Sequence, residues 1–192
     1  MSIEMKQLLI GCFFGVLIMS TLSCEQGDGK DQADYDSLFL GFYLGMERQA
    51  FFDHCWDYNR REIFTHGPNN TSVEYKMKDE LDYPAVMRFY PTFENDRIYE
   101  MPVLFSYVAW APWNRQFQSD SLLVEMVDLF KQWYGEDFEV MDHKTMGKVY
   151  YRIDKKRRIN LFIKDEQHVQ AVFTDLKVEK DLKEAANNNE LR

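Results

Sequence analysis

Between Ser119 and Gly135 the side chains of Leu122, Leu123, Met126, Val127, Phe130, Trp133 and Tyr134 form an apolar stripe along an α-helix. A helix with a single apolar stripe needs a second layer to cover it. The residues that follow supply one. Segments 138–142, 148–153, 158–164 and 169–176 are short runs rich in β-branched and aromatic residues, the composition of strands. Asp154-Lys155-Lys156-Arg157 reads as a hairpin turn between two of them. Ser119, Asp120 and Ser121 offer N-cap side chains for the helix, and Gly135 a left-handed C-cap.

The first half has a similar plan. An apolar stretch at 38–44 leads through Gly45-Met46 into a helical pattern over 47–61, carried by Ala50, Phe51, Phe52, Cys55, Trp56 and Tyr58. His66-Gly67-Pro68-Asn69-Asn70 turns the chain. Strand candidates follow at 72–77, 85–90 and 99–108, divided by turn-forming runs at 78–84 and 91–97. The expected fold is α+β. Two helix-on-antiparallel-sheet units at 37–112 and 113–178, each with three or four strands, repeat at an offset of roughly 75 residues. The alternative is one α+β domain whose two helices cover a continuous sheet. A charged tail, 179–192, closes the chain.

The 192 residues include three cysteines. Cys12 lies in an apolar run, 8–22, whose helical length of roughly 22 Å falls short of a ~30 Å bilayer core. The run ends at Thr21-Leu22-Ser23-Cys24 and turns polar at Glu25-Gln26-Gly27-Asp28. This is the pattern of a lipoprotein signal peptide over 1–23, with Cys24 the acylated first residue of the mature chain. Thr21 stands where leucine is usual, and Lys6 is offset by Glu4. Residues 24–36, acidic and glycine-containing, read as a lipidated tether. Cys55 alone is then left, so the body holds no internal disulfide and depends on its core. Its 45% hydrophobic and 16% aromatic composition, taken over the whole chain, suits one. The net charge of −9 argues against nucleic acid as a partner.

The short apolar stretch, the Gly45-Met46 step, the helix and the strand run resemble the small envelope proteins of the SmpA/OmlA type. Their doubling resembles the beta-lactamase-inhibitor-protein architecture. The signal, acidic tether and aromatic-rich body are also similar to envelope lipoproteins of Bacteroidetes-type bacteria. The resemblance covers about residues 38–176 at the level of architecture. It implies an envelope interaction module anchored to a membrane, the outer membrane first, and carries over no binding residue.

The most distinctive internal stretch is 105–117. Alternation places Trp110 with Ser106 and Val108 on one face of a strand that Pro112 ends, and leaves Trp113, Arg115 and Phe117 in the link to the second helix. Trp110, Trp113, Arg115 and Phe117 are therefore candidates for binding a sugar ring or a partner's apolar anchor. The alternative is that they plug the joint between the two units. His54, His66, His143 and His168 lack metal-ligand spacing, so no metal is expected. No nucleophile elbow, S-x-x-K pairing or phosphate loop is present, and no cofactor is expected. The basic run 152–158 reads as an exposed hairpin, or as a contact for an anionic glycan or lipopolysaccharide phosphate. Asp36-Ser37-Leu38 matches an Asp-Ser/Thr-apolar O-glycosylation acceptor, with Ser37 the modified residue. These readings describe a noncatalytic module binding an envelope protein or glycan. The runner-up is a carboxylate-based hydrolase acting on envelope polysaccharide or peptide.

Overall fold

The computed structural model describes residues 36–190, with side chains to 188; the signal segment, Cys24 and the tether up to residue 35 lie outside the described residues. The elements are α1 (Arg48–Arg60), β1 (Phe64–His66), β2 (Val73–Met77), β3 (Ala85–Phe89), β4 (Thr92–Glu94), β5 (Arg97–Tyr107), α2 (Ser119–Tyr134), β6 (Glu139–His143), β7 (Gly147–Asp154), β8 (Arg157–Ile163), β9 (Val169–Asp175) and α3 (Leu176–Glu190). The class is α+β. All nine strands join one antiparallel sheet in the order β1-β2-β3-β5-β9-β8-β7-β6, with β4 also on β5.

The two expected sheets are thus one. β5 and β9, the last strands of the two halves, pair from Glu100↔Thr174 to Phe105↔Val169. The reason lies in their alternation. Met101, Val103 and Phe105 on β5, and Val169, Ala171 and Phe173 on β9, are all buried on the same side. A strand with such a face gains more from a paired neighbour than from ending a sheet at solvent. Pro102 is tolerated inside this strand because its missing N–H falls in a gap. The β4 pairing stops at Glu100 and the β3 pairing begins at Val103.

One hydrophobic core takes Phe51 from α1 and Leu122, Met126 and Phe130 from α2. Phe130 stands edge-on to Phe105 at 6.0 Å and stacked on Phe173 at 5.9 Å. The apolar stretch 38–46 is no regular strand. It makes one isolated bridge, Ser37↔Tyr43, and turns at Leu40, Gly41 and Gly45, all at positive φ. At Gly41 a side chain would also collide with His54, whose Cε1 lies 2.9 Å from the position a Cβ would take. The stretch works as a plug. Phe39 meets Phe89 of β3 at 5.1 Å and Phe173 of β9 at 5.7 Å, so a residue assigned to the first half holds both halves.

The start of this plug is fastened to the β7–β8 hairpin and to the end of α2. Arg157 Nη1 donates to the Ser37 carbonyl, and the Tyr134 hydroxyl donates to the Leu38 carbonyl at 2.9 Å. Asp154 accepts from Arg157 Nη2 and from Arg152 Nε, each at 2.7 Å. The basic run expected to be solvent-exposed is therefore largely committed to buried or half-buried ion pairs; Arg158 grips Glu179 of α3 through two hydrogen bonds, at 2.8 and 3.0 Å. Residues 179–190, read from sequence as a charged tail, continue helix α3.

Candidate binding site

On α1, Phe51, Cys55 and Asn59 follow one another at four-residue spacing, with Phe52 and Trp56 on the flank beside them. Phe51 is buried against Phe42, centroids 5.2 Å apart. The flank is not buried: Trp56 is 66% exposed and Phe52 38%. Across from this flank, β1, the turn Pro68–Asn70 and the start of β2 form a second wall. Together they enclose a cleft of about 270 Å³, lined by these five α1 residues, by His66, Asn70, Ser72 and Val73, and by Tyr90.

Local sequence explains the second wall. The Gly67 N–H donates to the Ser72 carbonyl at 2.9 Å, and a Cβ on Gly67 would lie 2.1 Å from Ser72 Oγ. A side chain there would have to displace the Ser72 hydroxyl and press on the Ser72 carbonyl oxygen, 3.2 Å away, so glycine suits a turn folded back this closely. Asn69 and Asn70 both sit at φ 56°, a left-handed conformation that asparagine tolerates better than most residues. Tyr90 owes its place to an interruption: β3 and β4 run in line along β5, and Tyr90-Pro91 is the break between them. There the Tyr90 ring stands edge-on to Phe51 at 5.9 Å and 42% exposed. Asn59 Nδ2 donates to the Phe64 carbonyl at 3.0 Å, which ties the helix to β1.

The chemistry of the cleft suits holding better than transforming. Burial pushes the Cys55 thiol up to about 12, so it stays protonated and poorly nucleophilic at neutral pH. His66 is the one histidine of the lining. The other histidines serve structure: His54 Nε2 meets the Leu40 carbonyl at 2.8 Å, His143 closes the turn at Thr145, and His168 pairs with Asp165. Among the described residues no group of three or more His, Cys, Asp or Glu side chains could hold a metal ion.

The residues favoured from sequence lie elsewhere and do not act together. β5 ends at Tyr107, three residues before Trp110, so Trp110 is not on a strand face; its indole nitrogen is buried without a hydrogen-bond partner among the described residues. Phe117 is inserted beside Tyr83 and Tyr107, with centroids at 5.1 and 5.4 Å, and plugs the joint between α2 and β5. Trp113 is 86% exposed, and Arg115 stands exposed in the short turn that follows. Ser37 is exposed on its bridge with Tyr43. Cys24 lies outside the described residues. The cleft residues were missed because Phe52 and Trp56 share helical spacing with the core stripe. Their signal was the width of α1's apolar side, broader than one buried phenylalanine needs. No protein-family model matches this chain, and comparison with curated proteins and with solved structures found none similar to it, so the site stands on its own geometry.

Proposed function

We propose that this chain is a lipid-anchored protein of the cell envelope that binds another envelope component, a protein or a glycan, without catalysing a reaction on it. In this reading the signal peptide ends at Ser23, Cys24 carries the lipid, and the tether places the body at a membrane, the outer membrane first. The binding reading is carried by the cleft beside α1, where Phe52, Trp56 and Tyr90 remain exposed around a concave apolar surface. Exposed rings grouped in a concavity cost solvation that a bound partner recovers. Trp113 and Arg115 are a secondary contact, and Ser37 is a glycosylation acceptor at the end of the tether. The body is read as two helix-plus-sheet units fused through β5 and β9.

Cross-linking and recovery of partners from intact cells tests the binding reading. Trp56→Ala should keep the melting temperature within a few degrees of wild type and lose most of the recovered partner. Undiminished recovery would remove the cleft from consideration. Cys24→Ala should move the protein from the membrane to the soluble fraction, and unchanged fractionation would rule out the anchor.

The runner-up hydrolase needs a pair of carboxylates, and Glu100 with Glu179 is the pair to test. Burial, and then the Glu179 carboxylate, push Glu100 above the usual carboxylate range, whereas the hydrogen bonds from Arg158 hold Glu179 below it. Two acids with separated titrations are what acid–base catalysis uses. Glu100→Gln should then abolish release of reducing ends from envelope polysaccharide. Absence of that activity in the wild-type protein disposes of this reading.

A further inference from the structure

The two walls of the cleft beside α1 differ in kind. The helix wall gives Phe51, Phe52, Trp56, the half-buried Cys55 and Asn59, whose amide donates to the Phe64 carbonyl, whereas the loop wall gives His66, Asn70 and Ser72 beside Val73. In a chain of which 29% is Asp, Glu, Lys or Arg, no such residue lines this cleft. A charged ligand would therefore enter without a counter-charge and lose hydration that nothing restores. A purely apolar ligand would leave the amide and hydroxyl of the loop wall facing it unpaired. The ligand that fits both walls is uncharged, with one apolar face and hydrogen-bonding groups along its other side. A pyranose ring has that construction: its C–H face lies flat on an indole or phenyl ring, and its hydroxyls project from the edge. The cleft, at about 270 Å³, is smaller than the ~300–1,000 Å³ typical of sites for drug-sized ligands. One ring fits inside, with the remainder of a chain outside.

Resting on the binding reading above, we propose that the ligand of this cleft is a neutral hexopyranose, the terminal or internal ring of an envelope glycan, stacked on Trp56 and hydrogen-bonded through Asn70, Ser72 and His66. Tyr90 closes the open end against the ring. Affinity for one ring is low, with a dissociation constant on the order of 1 mM, and rises when neighbouring rings add contacts.

The purified protein is titrated with N-acetylglucosamine and its neutral oligomers, with glucuronic acid as the charged counterpart and indole as the apolar one. Binding is followed by tryptophan fluorescence and by chemical shifts of the α1 amides. The neutral sugars should saturate, glucuronic acid should bind at least ~tenfold more weakly, and Trp56→Ala should weaken the neutral sugars by ~tenfold or more. Asn70→Gly keeps the left-handed turn and removes only the amide; it should weaken them several-fold while leaving indole unaffected. Saturation by indole with no response to any neutral sugar overturns the sugar assignment and leaves a binding cleft of another specificity. Equal binding of glucuronic acid, or unaltered sugar binding in Trp56→Ala, also overturns it. A loss of cell-derived partners in Trp56→Ala despite a failed sugar titration would uphold the binding reading alone.

Discussion

Asp154 shows how much one residue can hold. Its side chain is 5% exposed and is shared by two guanidiniums, one of which also holds the Ser37 carbonyl. Removing a buried partner from such a group leaves charge without compensation, which costs more than the pair itself contributes. Asp154→Ala should therefore destabilise the protein by ~3–5 kcal/mol in urea denaturation; a loss below ~1 kcal/mol would mean that water reaches the two arginines. Glu100 makes a pH-dependent case. Its pKa is raised in the folded protein by burial and then by Glu179. The folded state thus holds this proton more tightly than the unfolded chain, and stability falls as pH rises through the raised value. Glu179 works in the opposite direction. Held low by the hydrogen bonds from Arg158, it contributes stability above the ordinary glutamate range that is lost as pH falls through its folded pKa. Glu100→Gln should accordingly raise the melting temperature at pH 7 and change it little at pH 4. Equal shifts at the two pH values would show that its ionisation is not what matters. None of this was readable in the sequence, where Asp154 and Arg157 are a turn and Glu100 one acid among many. The burial of each is set by residues far along the chain.

At the scale of elements, α2 is the clearest case of sequence becoming structure. Its stripe of Leu122, Leu123, Met126, Val127 and Phe130 is buried as the spacing requires, and Trp133 at the stripe's end stays 40% exposed. Phe130 packs against β5 and β9 at once, so Phe130→Ala should cost ~3–5 kcal/mol by denaturant titration. A loss under ~1 kcal/mol would mean that the α2 face can repack around the hole. β2, β3, β5 and β7 to β9 were legible for a related reason: each is long enough for alternation to show. β1 and β4 have three residues each and carry no period of their own; their partners define them. β4 exists because Asn95 and Asp96, both at positive φ, make a tight hairpin into β5. α3 was missed for the opposite reason. It is rich in helix-forming lysines, glutamates and alanines but has no strong apolar stripe, and Arg158 holds its first turn through Glu179. The cleft shares this history, because one wall is a legible helix and the other a turn made feasible by Gly67 meeting Ser72.

For the whole molecule, the register of β5 on β9 decides how it comes apart. Six paired positions and the shared contacts of Phe39 and Phe130 leave neither half with a complete core. Thermal unfolding followed by circular dichroism and by tryptophan fluorescence should give one coincident transition, and amides of β5, β8 and β9 should exchange with solvent most slowly. Two separable transitions would mean that the sheet is cooperative only within each half. The α+β class could be read from sequence but not this seam, since nothing in a strand's alternation names the strand beside it. The fastening of Ser37 and Leu38 to Arg157 and Tyr134 gives the molecule a mechanical polarity. Tension arriving through residue 36 meets the hairpin clamp first and the aromatic plug of Phe39 and Phe42 behind it. A load on that end is taken up by β8 and α2, through Arg157 and Tyr134. Residues 37 and 38 are thus held to the body by side chains from two distant parts of the chain.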